Sequence, residues 1–214
     1  MDRRLETCIA ASLAWYADVF ALHAIPTATE HGLWRALGPP PPLHSAAKTL
    51  EPGVREADVL AAVAPYDVCS VADSYGDLDL AAAGFAVLID ATWLLHEPLE
   101  PAPMPAGWER VADERALEGW VERHGTAGVF PPALLAHPAF TVLARGDAGA
   151  VVHASEGAVT VAHVFGDVPV TEWLGLAAAL HPGRPVADYA TGTALEEALD
   201  AGFTGVGPQL VWAR

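Results

Sequence analysis

Two side chains are placed where proton chemistry could happen. His163 falls near the end of an apolar run, Val159–Phe165, that reads as a strand. An imidazole titrates close enough to neutrality to take or give a proton during a reaction. Tyr189 closes the next strand-like run, residues 185–189, where its hydroxyl would act only if turned inward. His153 precedes His163 by ten residues, across a hairpin. A two-residue turn at Glu156 and Gly157 would set these imidazoles on opposite faces of the sheet, so a shared ion is not expected. The two cysteines, Cys8 and Cys69, lack the CxxC spacing of a zinc site, and no metal is expected. The chain has no G-x-S-x-G elbow, no Walker pattern and no G-x-G-x-x-G after a strand.

The elements that must hold these residues can be read around them. In the second half, residues 108–112 read as a short strand and 113–125 as a helix with Gly125 as its stop. Pro131 or Pro132 opens another short helix, where a missing N–H costs nothing. Strand-like runs follow at 140–144, 150–154 and Val159–Phe165, with turns at Gly146, Asp147, Gly149 and at Glu156-Gly157. A helix over 172–180, a strand over 185–189, a helix over 194–201 and a strand over 206–212 complete the order β-α-α-β-β-β-α-β-α-β.

Residues 96–107 contain four prolines and divide the chain near its middle, since proline removes a donor and fixes φ. The expected organisation is therefore a first half over 1–96, a linker over 97–107 and a second half over 108–214. The halves share ordered landmarks: Val-Ala-Asp at 71 and 186, Gly-Phe at 84 and 202, and a tryptophan at 93 and 212. A period of this size means two tandem units, with Trp93 and Trp212 packing at equivalent places. The first half matches only over about 55–93; earlier residues supply few strand-like runs, so that unit is expected to be abbreviated.

Composition fits a folded, acidic protein. Of 214 residues 52% are hydrophobic and 18% charged, and the formal net charge is −16. That balance excludes a disordered chain. Without a basic cluster, no nucleic-acid partner is expected. The N-terminal stretch places Leu5, Cys8, Ile9, Leu13 and Tyr16 on one helical face. No run reaches the roughly 18 uninterrupted apolar residues of a membrane span. The expectation is a cytoplasmic protein without a membrane partner.

The second half's order of elements, with its ending ALEEALDAGFTGVGPQLVW, resembles the GNAT superfamily of acyl-CoA-dependent N-acyltransferases. Ala194, Gly202 and Phe203 match the ending usual there. The resemblance implies an α/β (α+β) fold of two tandem GNAT-like units, each a mixed, mostly antiparallel sheet flanked by helices. It implies acetyl-CoA or another acyl-CoA as cofactor, bound at Val164, Phe165 and Gly166, and a small-molecule amine as acceptor. His163 would then take the amine proton, and Tyr189 would protonate the leaving thiolate in place of the family's helical tyrosine, since Ala198 stands there. The family holds the pyrophosphate on a Gln/Arg-x-x-Gly-x-Gly/Ala loop. The matching segment, FGDVPVTEW at 165–173, has one glycine, a proline, no Arg or Lys, and two acids, Asp167 and Glu172, expected to face the phosphates. Two readings follow: an N-acyltransferase with a degenerate cofactor loop, or a catalytically inactive GNAT-fold protein serving binding, assembly or structure.

Overall fold

The computed structural model describes residues 2–214. Asp2 caps the first helix, α1 (Arg3–Leu22), by accepting the Arg4 N–H at 2.9 Å. The first half continues with β1 (Thr27–Glu30), β2 (Leu33–Ala36), β3 (Ala47–Thr49), α2 (Glu56–Val63), β4 (Ser70–Asp73), a 3-10 turn (Ala81–Ala83) and β5 (Ala86–His96). The second half holds β6 (Glu109–Arg110), α3 (Glu114–His124), a 3-10 turn (Pro132–Ala136), β7 (Phe140–Arg145), β8 (Ala148–Ala154), β9 (Val159–Phe165), α4 (Val170–Leu180), β10 (Val186–Ala190), α5 (Gly192–Asp200) and β11 (Thr204–Ala213). The second half therefore follows the order read from sequence. Asp113 caps α3, Gly125 ends it with φ of 75°, and Pro131 precedes the 3-10 turn. The early strands of the first half exist but are three or four residues long, too short for alternation to mark them.

All eleven strands among the described residues lie in one sheet, ordered β1-β2-β3-β4-β11-β5-β10-β9-β8-β7-β6. Pairing is antiparallel except for β3 with β4 and β9 with β10. The centre is made of β5 and β11, one strand from each half, joined antiparallel. Outward from it the order is matched: β4 and β10 flank the centre, and each then has a parallel neighbour, β3 or β9.

Local hydrogen bonds repeat as well. Gly84 and Gly202 sit at φ of 84° and 101°, a region that penalises a side chain. In the following residue Phe85 N bonds Leu80 O at 3.3 Å, and Phe203 N bonds Ala198 O at 3.0 Å. Both phenylalanines are buried, each in the core beneath its own helical turn. The tryptophans do not repeat. Trp93 stands opposite Tyr189, whereas Trp212 stands opposite Val71, and the residue facing Val186 is His96. Ladder register fixes these positions, and it shifts at bulges in the β5–β11 pair, so equal sequence spacing did not make equal places.

Side chains from alternate strand positions build a core on each face. On one face α2, α4 and α5 cover the sheet, with Leu176, Ala177, Val186, Ala198 and Phe203 in the larger cluster. On the other lie α1, α3 and the second 3-10 turn, with Trp15, Val19, Trp120 and Leu134. By length and composition α1 could pass for a membrane span. Its Cys8, Ile9, Ala11, Trp15, Val19 and Phe20 are buried in the fold, which accounts for their character. Residues 97–107 form no regular element. They strap α4, with Leu99 and Met104 against its core and Leu99 O accepting the Gly183 N–H at 2.8 Å.

Candidate functional site

The parallel pair β9–β10 touches at one register position, Val186 with Val159. Beyond it the strands part, leaving the edge of β9 without a ladder partner. A cavity of about 1110 Å³ fills the opening. Cys8, Trp15 and Tyr16 line it from α1, and Trp173, Ala194 and Ala198 line it from α4 and α5. The gap thus joins the two faces of the sheet. The loop of Pro40–Ser45 and the exposed side chains Leu43, Val68 and Leu88 border it with apolar surface.

Beside the gap β9 is bulged. Gly149 pairs with Phe165 and Val151 with Ala162, so His163 and Val164 together face Ala150 alone. His163 takes φ of 52°, a left-handed backbone uncommon for a residue with a side chain. A bulge of this kind leaves one residue out of the ladder and redirects its neighbours. Its effect is visible at Trp15, whose ring centre lies 5.5 Å from both His153 and His163. The two histidines therefore share a face, contrary to the alternation argument. The turn at 156–157 keeps the expected register, with Ser155 N bonded to Ala158 O at 3.0 Å and His153 opposite Thr160, and the bulge alone undoes that parity.

His163 is packed among Trp15, Phe130 and His124, with ring centres at 5.5, 4.7 and 5.1 Å. Burial, reinforced by His124 and His44, pulls the imidazole down to about 3; it is neutral at physiological pH. His44 accepts the Trp15 indole N–H at 3.0 Å and donates its other ring nitrogen to Pro42 O, while burial holds it at about 4. His153 bonds Asp18 of α1 at 2.7 Å and is 1% exposed. Its surroundings are a helix–sheet tie. Among the described residues no group of three or more His, Cys, Asp or Glu is placed to hold a metal.

Solved structures share this architecture. A GCN5-related N-acetyltransferase from Kribbella flavida matches with TM-score 0.59 and 18% identity, over 95% of this chain and 95% of its own. A GNAT-family protein from Novosphingobium aromaticivorans matches with TM-score 0.64 and 12% identity, over 99% and 98%. The chain has the GNAT fold. A functionally unknown conserved protein from Staphylococcus epidermidis shares it too, with TM-score 0.60 and 10% identity over 89% and 94%. No protein-family model matches the sequence, and no curated protein matches it.

Within the GNAT fold the residues singled out from sequence come together unevenly. His163, Tyr189, Val164 and Gly166 all line the one cavity. Phe165 does not: its ring turns to α3, 5.0 Å from Trp120 and 5.2 Å from His124. Tyr189 packs edge-on to Trp93 at 5.5 Å and is 41% exposed. The loop before α4 also differs from its sequence. Glu172 turns away from the cleft, held by Arg145 of β7 and by the Trp108 indole N–H at 2.5 Å. Arg145 also donates to Asp167 O at 3.0 Å. A cation thus reaches a loop whose own sequence has none.

Sequence reasoning missed Asp188 and Lys48. Asp188 lines the cavity, and burial raises its carboxyl to about 7. Lys48 is 1% exposed, with its ammonium 4.9 Å from the Trp93 ring centre and 5.5 Å from that of Tyr16. Burial pulls it down to about 7 against the pull of Asp73. The Val-Ala-Asp repeat was the available signal for Asp188; nothing in the sequence marks Lys48 as internal.

Proposed function

We propose that the chain is an N-acyltransferase, taking an acyl thioester such as acetyl-CoA in the gap between β9 and β10. The gap itself carries this reading: it opens to both faces of the sheet, so a thioester on the α4 and α5 side and an amine on the α1 side would meet within it. The bulge at His163 and Val164 turns backbone out of the ladder beside the gap, where an N–H would polarise the thioester carbonyl. Val164 and Gly166, which line the cavity, would border the thioester's path. His163, being neutral, would accept a hydrogen bond from the amine and orient it. With its pKa so low it would be a weak base, since proton transfer is most efficient when the base titrates near the working pH. The acceptor is a small-molecule amine, whose apolar part would suit the rim of Leu43, Val68 and Leu88.

One observation favours the second reading, an inactive fold kept for binding or assembly. Pro169 stands at the cap of α4 and offers no N–H, and Arg145 is already committed to Glu172. Thermal denaturation with added acetyl-CoA separates the two. A ligand present at 100 times its Kd stabilises by about 2.7 kcal/mol. The acyltransferase reading expects a shift of that order at millimolar acetyl-CoA, together with release of free thiol when a primary amine is present. Neither signal would leave the inactive reading.

A further inference from the structure

The two Val-Ala-Asp triplets end in aspartates with opposite circumstances. Asp73, at the end of β4, is 0% exposed and fully engaged. Its Oδ1 accepts from Tyr75 N at 3.3 Å and Gly76 N at 3.0 Å, and its Oδ2 from Leu78 N at 3.0 Å. Three backbone donors make it a turn-forming residue. Asp188, at the matching place in β10, is half-buried, accepts the Tyr189 N–H at 2.7 Å and has no ion pair among the described residues. A carboxyl half-buried in a cavity wall with so little to bond is costly to ionise unless it serves a purpose or stays protonated.

Its position suits a purpose. Asp188 lies past the last β9–β10 contact, where the strands have parted. Alternation along β10 sets it on the side of Val186 and Ala190, which pack with α4 and α5. Tyr189 and Ala187 point the other way, toward Trp93 and α1. Ala198, the small residue of α5 in the same cavity, leaves the space above β10 open. The titratable groups in electrostatic reach of Asp188 are Cys8 of α1 and Tyr189 on its own strand, and Glu197 of α5 lines the same cavity. Among the described cavity-lining residues the one Lys or Arg is Arg214, whose guanidinium is committed to Val63 O and Tyr66 O. No cation in the cavity competes to ionise the carboxyl, and burial keeps it protonated up to about neutrality.

The geometry points to Asp188 as the proton donor to the leaving thiolate. This rests on the acyltransfer reading of the gap. The amine nitrogen forms a bond to the thioester carbonyl carbon, and the C–S bond breaks. The sulfur takes the carboxyl proton of Asp188. The proton lost by nitrogen goes to solvent water, and one from solvent restores Asp188, so charge and atoms balance. Tyr189, on the opposite side of β10, is left to pack against Trp93.

The test compares two donors in the wild type and in Asp188→Asn, with a set of primary amines from methylamine to tyramine as acceptors. One donor is acetyl-CoA, whose alkyl thiolate needs a proton. The other is the acetyl thioester of a nitrothiophenol, whose thiolate leaves unassisted. Asp188→Asn is expected to lose about 100-fold in turnover of acetyl-CoA and little with the activated thioester. Equal loss on both donors, or no loss on either, overturns the inference while acyl transfer stands. Absence of turnover in the wild type with both donors overturns the acyltransfer reading and the inference with it. Infrared spectroscopy gives a readout independent of activity: a protonated-carboxyl band at pH 6 should vanish in Asp188→Asn. Its absence from the wild type also overturns the assignment.

Discussion

Arg145 and Glu172 form an ion pair that joins the end of β7 to the first turn of α4. The same Glu172 oxygen also accepts the Trp108 indole N–H, and the Arg145 guanidinium lies 5.3 Å from the Trp108 ring centre. The pair neutralises the acid nearest the helix end that would meet an anionic cofactor. Glu172→Gln should therefore free Arg145 and tighten acetyl-CoA binding, whereas Arg145→Ala should weaken it. Calorimetric titration reads both, and unchanged affinity in both would mean the loop does not hold the phosphates. Arg145→Ala should also cost about 1–3 kcal/mol of stability, as a half-buried charge-assisted bond is lost.

Acid stability follows from the histidines. His163 and His44 are held at about 3 and about 4 in the folded protein, against about 6.5 in an unfolded chain. Their folded pKa values are depressed, so the unfolded chain binds more protons between these limits. Stability is greatest above pH 6.5 and falls as pH drops toward 4. His163→Phe should make that acid limb shallower in urea titrations at pH 4.5 and 7; a constant packing penalty would leave its slope unchanged. An unaltered slope would show that His163 is protonated in the folded state.

Lys48 gives the opposite test. Its folded value of about 7 lies below the usual 10.5, so stability present above pH 10.5 is lost as pH falls through 7. Lys48→Met keeps the volume and removes the buried charge. It should be neutral or stabilising, and its advantage should grow from pH 9 to pH 7 in denaturant titrations. A variant destabilised at both pH values would mean that the ammonium's place over Trp93 and Tyr16 outweighs its desolvation.

The central strands bear on the chain's origin. We infer that it arose by duplication of one unit, with β5 and β11 each lying between strands of the other half. Residues 1–96 and 108–214 expressed apart should then fail to fold singly, because each lacks the strand that separates its last two. Mixed, they should recover cooperative melting and native circular dichroism. Independent folding of either piece would argue against interleaved halves.

Gly149 reports on the packing behind the bulge. A Cβ there would strike the Trp120 indole, fully buried, and the Phe165 ring, packed against the same core. Gly149→Ala should destabilise by about 1–3 kcal/mol and should reduce turnover, because it displaces the strand pair that carries His163. Stability within a few tenths of wild type in thermal melts would show that Phe165 can move aside.

Local chemistry specifies much of the second half without any tertiary contact. Val159–Phe165 was read with its observed ends, and Asp113, Gly125 and Pro131 act where cap and turn preferences put them. These signals lie within a few residues of one another, so the sequence displays them. The placement of His163 beside Trp15 depended on a bulge, which one strand acquires only against its partner. Arg145 reaches Glu172 from 27 positions away. Two identical Val-Ala-Asp triplets gave one satisfied aspartate and one left in a cavity. By itself, the sequence determined the elements of the second half and the family they resemble. Register, bulges and the splay between β9 and β10 belong to the tertiary structure, because they arise from pairing between segments distant along the chain.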